Sequence, residues 1–537
     1  GSFGTHRYAL EGRWAGPNGV ALSGGGFFDA AVNDYLIDVQ ETDAQGRVSD
    51  ARVRRFHDGY RAGGGWVEAS VEEVPWASRA SLRLFGATAF KALQHNLVMT
   101  VPWGEPTTTD STLGGLLRWG HRLGAVELDA AAAFSQRFVS LRDVGRGIYD
   151  WRGREVGTRV LGGELSGQPI DQLLRESNLW ARAWAQWAPA PGHVLRASVT
   201  PTAVRREQAD ARSERPALGP QGLVNLVGGV EYELSRGESD AAWRRVVHNV
   251  LFLKGYFGWA DGARRVPGGV ERLESLSGHF GLGDSLRLRL ARWLQLKASY
   301  EYATRLPRPD ERFGDGVFIS ANPGLEPEVS HNTNLGARVE LDLAAAGWLT
   351  LDATLVWREA DRLIVLLSDE WVAQFSNVYR ARVLGGDASL RWSSPRGLVT
   401  VEGGVTGSDV RNVSDSGPFA AFSGARVPNK PWLQASWSAQ LQWGGVFFAG
   451  DRVVLFYVGR FVAPFYRGWE GQGLVASKQQ VPAQHTHGLG ATWAVPVQAA
   501  RLTVTAEGSN LLDARVYDVF GAQRPGRAFF VKLGVEL

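Results

Sequence analysis

The stretch SNLLDARVYDVFGAQRPGRAFFVKLGVEL, residues 509–537, decides how this chain folds. From Phe529 onward the pattern alternates strictly. Phe529, Val531, Leu533, Val535 and Leu537 fall on one face of a strand, and Phe530, Lys532, Gly534 and Glu536 on the other. A soluble protein rarely ends on such a strand, because a free edge of backbone N–H and C=O groups recruits other chains. A barrel that crosses a membrane does end this way, since its last strand must close the wall.

Working outward, the same period of two recurs along the chain. In 178–187, Leu179, Ala181, Ala183, Ala185 and Trp187 alternate with Asn178, Trp180, Arg182, Trp184 and Gln186. Residues 334–343 and 433–443 alternate in the same manner, with apolar Leu335, Ala337, Val339, Leu433, Ala435 and Trp437 against polar partners. A sandwich of two sheets would also alternate, so the pattern by itself leaves the solvent open.

The tryptophans decide between them. Ten short connections, spaced roughly one hairpin apart, each contain or adjoin one: Trp14, Trp76, Trp119, Trp187, Trp243, Trp293, Trp348, Trp392, Trp443 and Trp493. Indole belongs at a membrane interface, ring among acyl chains and N–H among headgroups, so these ten are expected to form one girdle. Long polar connections lie between the short ones, the largest over 32–59, 93–111, 137–176, 206–222, 305–326, 407–425 and 465–480. Short turns at one end and long loops at the other are the polarity of an outer-membrane barrel.

Composition agrees. The 537 residues contain no Cys, one Met, 21 Trp and 66 Gly, with a net charge of +3. No apolar run reaches the length of a membrane helix. A slightly negative mean hydropathy suits a barrel, half of whose strand residues face a wet lumen. The opening GSFGTHRYAL shows no signal peptide and is expected to begin a mature product or a fragment. Counting from the last strand gives about 21 strands, starting with one at 5–15.

Four segments carry a resemblance to a known family. These are GSFGTHRYALEGR (1–13), NPGLEPEVS (322–330), NVYRARVLGGDASLRW (377–392) and the closing SNLLDARVYD…RPGRAFFVKLGVEL. In this order they resemble the barrel of TonB-dependent outer-membrane transporters, although that family usually ends on an aromatic residue where this chain has Leu537. The resemblance implies an all-β fold, a large antiparallel transmembrane barrel of the 22-stranded type, in the outer membrane of a Gram-negative bacterium. It further implies active import of a scarce nutrient, such as a siderophore-bound metal or cobalamin, driven by the TonB complex through a plug inside the barrel. Neither plug nor TonB box occurs in residues 1–537, which read as barrel throughout. An even strand number is the rule for such barrels, so the plug and a first ascending strand are expected from an upstream segment or a separate chain. Lipid and lipopolysaccharide are the other implied partners; no nucleic acid, cofactor or enzymatic activity is expected. A plugged protein-export or surface-assembly channel is the alternative, with a passive porin behind it.

Individual residues say less about the ligand. Arg305 and Arg308, in an outer loop interleaved with Asp310 and Glu311, and Tyr149 and Trp151, in the middle of another, are the substrate-contact candidates. His485 and His487 share a strand face without a placed third ligand, so no metal site is expected. Gly24–Gly26 and Gly63–Gly65 lack the lysine and helix of a phosphate loop, and read as twist or close approach within strands.

Overall fold

The computed structural model describes residues 1–42, 45–213, 217–237, 246–368, 373–470 and 480–537. Its main sheet has 22 strands. Twenty-one run antiparallel, each beside its sequence neighbours, from His6–Ala15 to Ala528–Glu536. The remaining member, Ile319–Ser320, is a two-residue strand joined in parallel to Ala373 and Gln374. No helix among the described residues is long and apolar enough to cross a membrane.

Register carries the alternation around the wall. Leu533 pairs with Val504, Leu179 with Phe134, Leu335 with Leu355 and Ala439 with both Val401 and Tyr457, so apolar residues meet apolar ones on the outer face. That face is bare: Leu10, Leu113, Leu355, Val531 and Leu533 are each at least two-thirds exposed. Large aliphatic side chains so displayed need lipid for solvent. The inner face holds the charges, as in Arg7–Asp29 at 2.9 Å, Lys254–Glu301 at 2.7 Å and Lys532–Glu507 at 3.0 Å.

One end of the wall is made of short connections such as 75–76, 124–125, 191–192 and 498–499. Nine of the ten expected girdle tryptophans lie at or beside these turns, and Trp243 falls outside the described residues. Three of them tie their indole N–H to the next turn: Trp119 to the Trp76 carbonyl at 3.1 Å, Trp392 to the Ala346 carbonyl at 2.9 Å, and Trp493 to Asp451 at 3.1 Å.

The other end departs from the expected loops in extent. Strands Val126–Asp143, Ile170–Ala190 and His193–Asp210 run farther out than expected, so the connections expected over 137–176 and 206–222 begin only after Asp143 and Asp210. Polar residues obscured these ends because a strand that rises beyond the membrane is wet on both faces. Strands Val246–Val266 and Gly269–Arg289 likewise project outward and join by a two-residue turn. The two strands that carry the glycine runs pair with each other, Gly26 opposite Gly65, Gly25 opposite Trp66 and Gly63 opposite Phe28. A Cβ on Gly64 would come within 2.7 Å of the Gly86 carbonyl, so close strand approach explains it.

The edges of the sheet are the first and last strands. Among the described residues, His6–Ala15 pairs only with Val20–Ala31, and Ala528–Glu536 only with Ala500–Ser509. Both edge strands run toward the short-turn end. At the outer end Ser2 Oγ accepts a hydrogen bond from the Phe529 N–H at 2.9 Å, so residues 1–4 lie against the top of the last strand.

Candidate functional site: the outer mouth

The long outer connections are folded, with hairpins and cores of their own. Leu36–Thr42 pairs with Val48–Arg54, and their inner faces pack Ile37, Val39 and Val53 with Tyr35 and Trp151. A second core joins Val365, Val378 and Val427 to Trp469, against which Phe422 stacks at 5.1 Å. A third unites Leu93, Trp103 and Leu141 with Phe318, whose ring stacks on Trp103 at 6.2 Å.

Phe318 belongs to the loop 306–327, which leaves the strand Leu294–Arg305 and reaches across to the opposite loops. Arg206 holds it there. This side chain is 1% exposed, sits opposite Glu176 in register and ion-pairs with it, reaches Asp310 at 2.9 Å, and donates to the Gly314 carbonyl. Arg312, also buried, donates to Ser275 Oγ and to the Leu325 carbonyl. The NPGLEPEVS segment completes the anchor. Pro323 packs near Gly262, Leu325 is 1% exposed, and Glu328 pairs with Arg358 and accepts the Ile364 N–H.

The closing segment follows similar logic. Asn510 and Asp513 both adopt positive φ. Asn510 brackets Ala514, donating to its carbonyl at 2.7 Å and accepting its N–H at 3.0 Å, while Asp513 accepts the Arg527 N–H at 2.9 Å. The Asn-Leu-x-Asp and Pro-Gly-Arg words therefore shape the last outer loop before the strand begins.

The four substrate-contact candidates have different surroundings. Arg305 is ion-paired to Glu311, and Arg308, three-quarters exposed, lies 3.6 Å from the same carboxylate. Tyr149 is half-buried, with its ring 6.4 Å from that of Phe56 and packed near Gly104 and Gly147. Trp151 is 5% exposed, inside the core of the 36–54 hairpin. Among the described residues no hydrogen bond or ion pair joins the arginine pair to the aromatic pair. His485 and His487 stand on the lipid face with Trp437 and Tyr457, their rings 4.3 Å apart, and Tyr457 OH meets His487 Nδ1 at 2.6 Å. Among the described residues no group of three or more metal-ligating side chains gathers.

Sequence reasoning missed Arg206, and it missed a polar cluster around Arg55, Asp58, Lys91 and His95 under the mouth. Glu176 and Asp310 lie far from Arg206 in sequence, and although Asp58 is close to Arg55, Lys91 and His95 join that pair only in the folded loops. Below the mouth, the inner wall carries a groove of about 640 Å³ lined by Arg13, Arg79, Arg118 and Arg182 together with Glu68, Glu72 and Asp129. Arg79 and Arg182 reach the Asp129 carboxylate at 2.6 and 3.4 Å.

A lipid-facing antiparallel wall with a charged lumen and folded outer loops defines the class: a large outer-membrane β-barrel. Residues 229–511, just over half of the chain, match the family model described as TonB dependent receptor-like, beta-barrel. The chain belongs to the TonB-dependent receptor family. No curated protein sequence matches it. Among solved structures it is similar to the copper transporter OprC, at 15% identity and a TM-score of 0.72, covering 99% of this chain and 78% of that one. It is also similar to BauA, the ferric preacinetobactin receptor from Acinetobacter baumannii, at 14% identity and a TM-score of 0.65, with the same coverages of 99% and 78%. The ferric yersiniabactin uptake receptor FyuA from Yersinia pestis follows at 13% identity and a TM-score of 0.65, covering 99% of this chain and 77% of that one. At these identities the likeness is one of fold.

Proposed function

We propose that this chain forms the wall of an importer in the outer membrane of a Gram-negative bacterium, energised through TonB and taking up a scarce nutrient such as a siderophore-bound metal or cobalamin. Membership of the family supports nutrient import. The observation that carries the finer reading is the mouth: the loop 306–327 crosses toward the opposite loops and is anchored by the buried Arg206. Such construction suits capture of a particular molecule better than free passage. A wall of this size without a plug would also leave an aqueous lumen too wide for a barrier membrane. Structural neighbours named for copper and ferric-siderophore transport make a metal complex the first class to try.

The same reading assigns a plug with its TonB box, and one ascending strand, to an upstream segment or a second chain. Arg305, Arg308, Tyr149 and Trp151 are its ligand-contact candidates. Of these Arg308 is the most exposed, whereas replacing Trp151 also removes core packing. The test is accumulation of radiolabelled ferric siderophores and cobalamin in cells with and without this gene product, repeated without TonB. TonB-dependent uptake of one compound, lowered by alanine at the four positions, supports import. Efflux of a co-purifying compound instead would favour the export channel.

A further inference from the structure

A cavity of about 330 Å³ lies between the outer loops 32–59, 93–106 and 510–527, with Phe318 on its wall. Its lining does not balance. At the centre is Arg55, 8% exposed, which donates from Nε to Gln94 Oε1 at 2.6 Å and from Nη1 to the Tyr35 hydroxyl. Its Nη2 lies 3.1 Å from Asp58 Oδ1 and 2.9 Å from His95 Nε2. The other ring nitrogen of His95 faces the Asn96 carbonyl at 2.6 Å, so Nδ1 carries the proton and Nε2 accepts from Arg55. Burial, aided by the Arg55 charge, holds the His95 pKa at about 3, and the ring is neutral.

Arg55 and Lys91 share one carboxylate, Asp58; Lys91 Nζ bonds its side chain and, at 2.7 Å, its main-chain carbonyl. At the rim Arg524 and Asp518 pair at 3.2 Å and cancel. One positive charge is left over. One donor is left over as well: Gln94, 1% exposed, keeps its Oε1 on Arg55 but its buried Nε2 has no acceptor. A buried unpaired donor and an uncompensated charge each oppose folding unless something fills the need.

We propose that this cavity binds a carboxylate-bearing small molecule. One carboxylate group brings a single negative charge to set against the excess of Arg55 and Lys91, and an acceptor for Gln94 Nε2. Phe318 and Phe520 offer the rest of such a ligand an apolar wall. A neutral sugar would supply acceptors without the charge, and phosphate would overshoot it. The inference rests on the proposed importer only for placing the cavity on the outer side; binding is read without transport, so either reading can fail alone.

The experiment is calorimetric titration of the full chain in detergent with benzoate, a monocarboxylate with an apolar body, and in parallel with inorganic phosphate, at fixed ionic strength. Saturable benzoate binding, tighter than phosphate, is expected. Gln94→Glu keeps the acceptor for Arg55 and supplies the missing negative charge internally, so it should weaken benzoate at least tenfold. Lys91→Met, which removes one of the two cations, should also weaken it. Absence of benzoate binding, phosphate binding as tight as benzoate, or equal benzoate affinity in wild type and Gln94→Glu would overturn the proposal. A readout without ligand accompanies these: Gln94→Glu should unfold at the same or a higher temperature than wild type. A lower temperature would show that no positive charge is in excess.

Discussion

Arg206 shows what a single side chain does at this mouth. It is 1% exposed and is shared between the buried Glu176 and the half-exposed Asp310, so removing it strands one carboxylate away from water and frees the helix Pro309–Phe313. Arg206→Met should cost about 3–5 kcal/mol in urea unfolding, the range for breaking a buried ion pair from one side. Adding Glu176→Gln should recover part of it; a double variant no better than the single one would sink the argument. Glu164 supplies a pH dependence. It accepts the N–H groups of Gly104 and Glu105 at 2.9 and 3.0 Å, yet burial, helped by neighbouring Asp143, raises its pKa from 4.5 to about 7. A carboxyl whose folded pKa is raised stabilises fully below its unfolded value and loses that contribution as pH climbs through the folded one. Stability should therefore fall between about pH 4.5 and 7. Glu164→Gln should flatten that segment of the unfolding profile, and an unchanged slope would place the titration elsewhere. Neither residue was legible in the sequence. Glu176 lies 30 positions from Arg206 and Gly104 lies 60 from Glu164, and only register and loop packing bring them together.

Elements were legible to the degree that one solvent touched each face. In Leu433–Gly444, lipid outside and a wet lumen inside imprint a period of two, and the pairing of Ala439 with Val401 and Tyr457 keeps it on the outer face as expected. Arginine at Ala439 should cost about 2–4 kcal/mol if that site is near mid-depth, while arginine at the adjacent Gln440 should cost far less. Comparable losses at both would mean the face is misassigned. Beyond the membrane the rule lapses, because a strand wet on both sides has no reason to alternate; that is why the outer reaches of 126–143 and 193–210 read as loop. The folded loops were hidden for a related reason. Their cores draw one or two residues each from several segments, as Trp151 does in joining the 36–54 hairpin, and so few anchors make no period. Nine of the ten tryptophans stand at or beside the short turns, where a membrane interface would fix their chemistry at one depth. Quenchers placed at graded depths in a bilayer should reach the nine described tryptophans at one common depth, and a spread across the bilayer would dissolve the girdle.

At the scale of the whole molecule the question is how the wall closes. Each interior strand is hydrogen-bonded on both sides, whereas His6–Ala15 and Ala528–Glu536 each have one free edge among the described residues. In hydrocarbon every unsatisfied backbone group costs several kcal/mol, so an open seam would not persist in a bilayer. Direct closure meets an obstacle of direction. Both edge strands descend toward the short turns, so joining them would create a parallel pair in an otherwise antiparallel wall. One ascending strand between them restores the alternation and makes the number even. The contact of Ser2 with Phe529 fixes where the outer ends of the two edges approach, and therefore where such a strand would finish. The proposed upstream segment or second chain, plug and strand together, fits this gap. Cysteine pairs can test it, taking Leu10 on the first strand with Val531, Leu533 or Val535 on the last, all on the lipid face. Adjacent strands lie about 5 Å apart and strands separated by a third about 10 Å apart, while a disulfide requires Cα atoms within about 7 Å. In membranes of cells that also supply the missing strand, none of the three pairs should oxidise to a cross-link. Efficient cross-linking of any pair would mean that this chain closes on itself, and that the plug enters the barrel by another route.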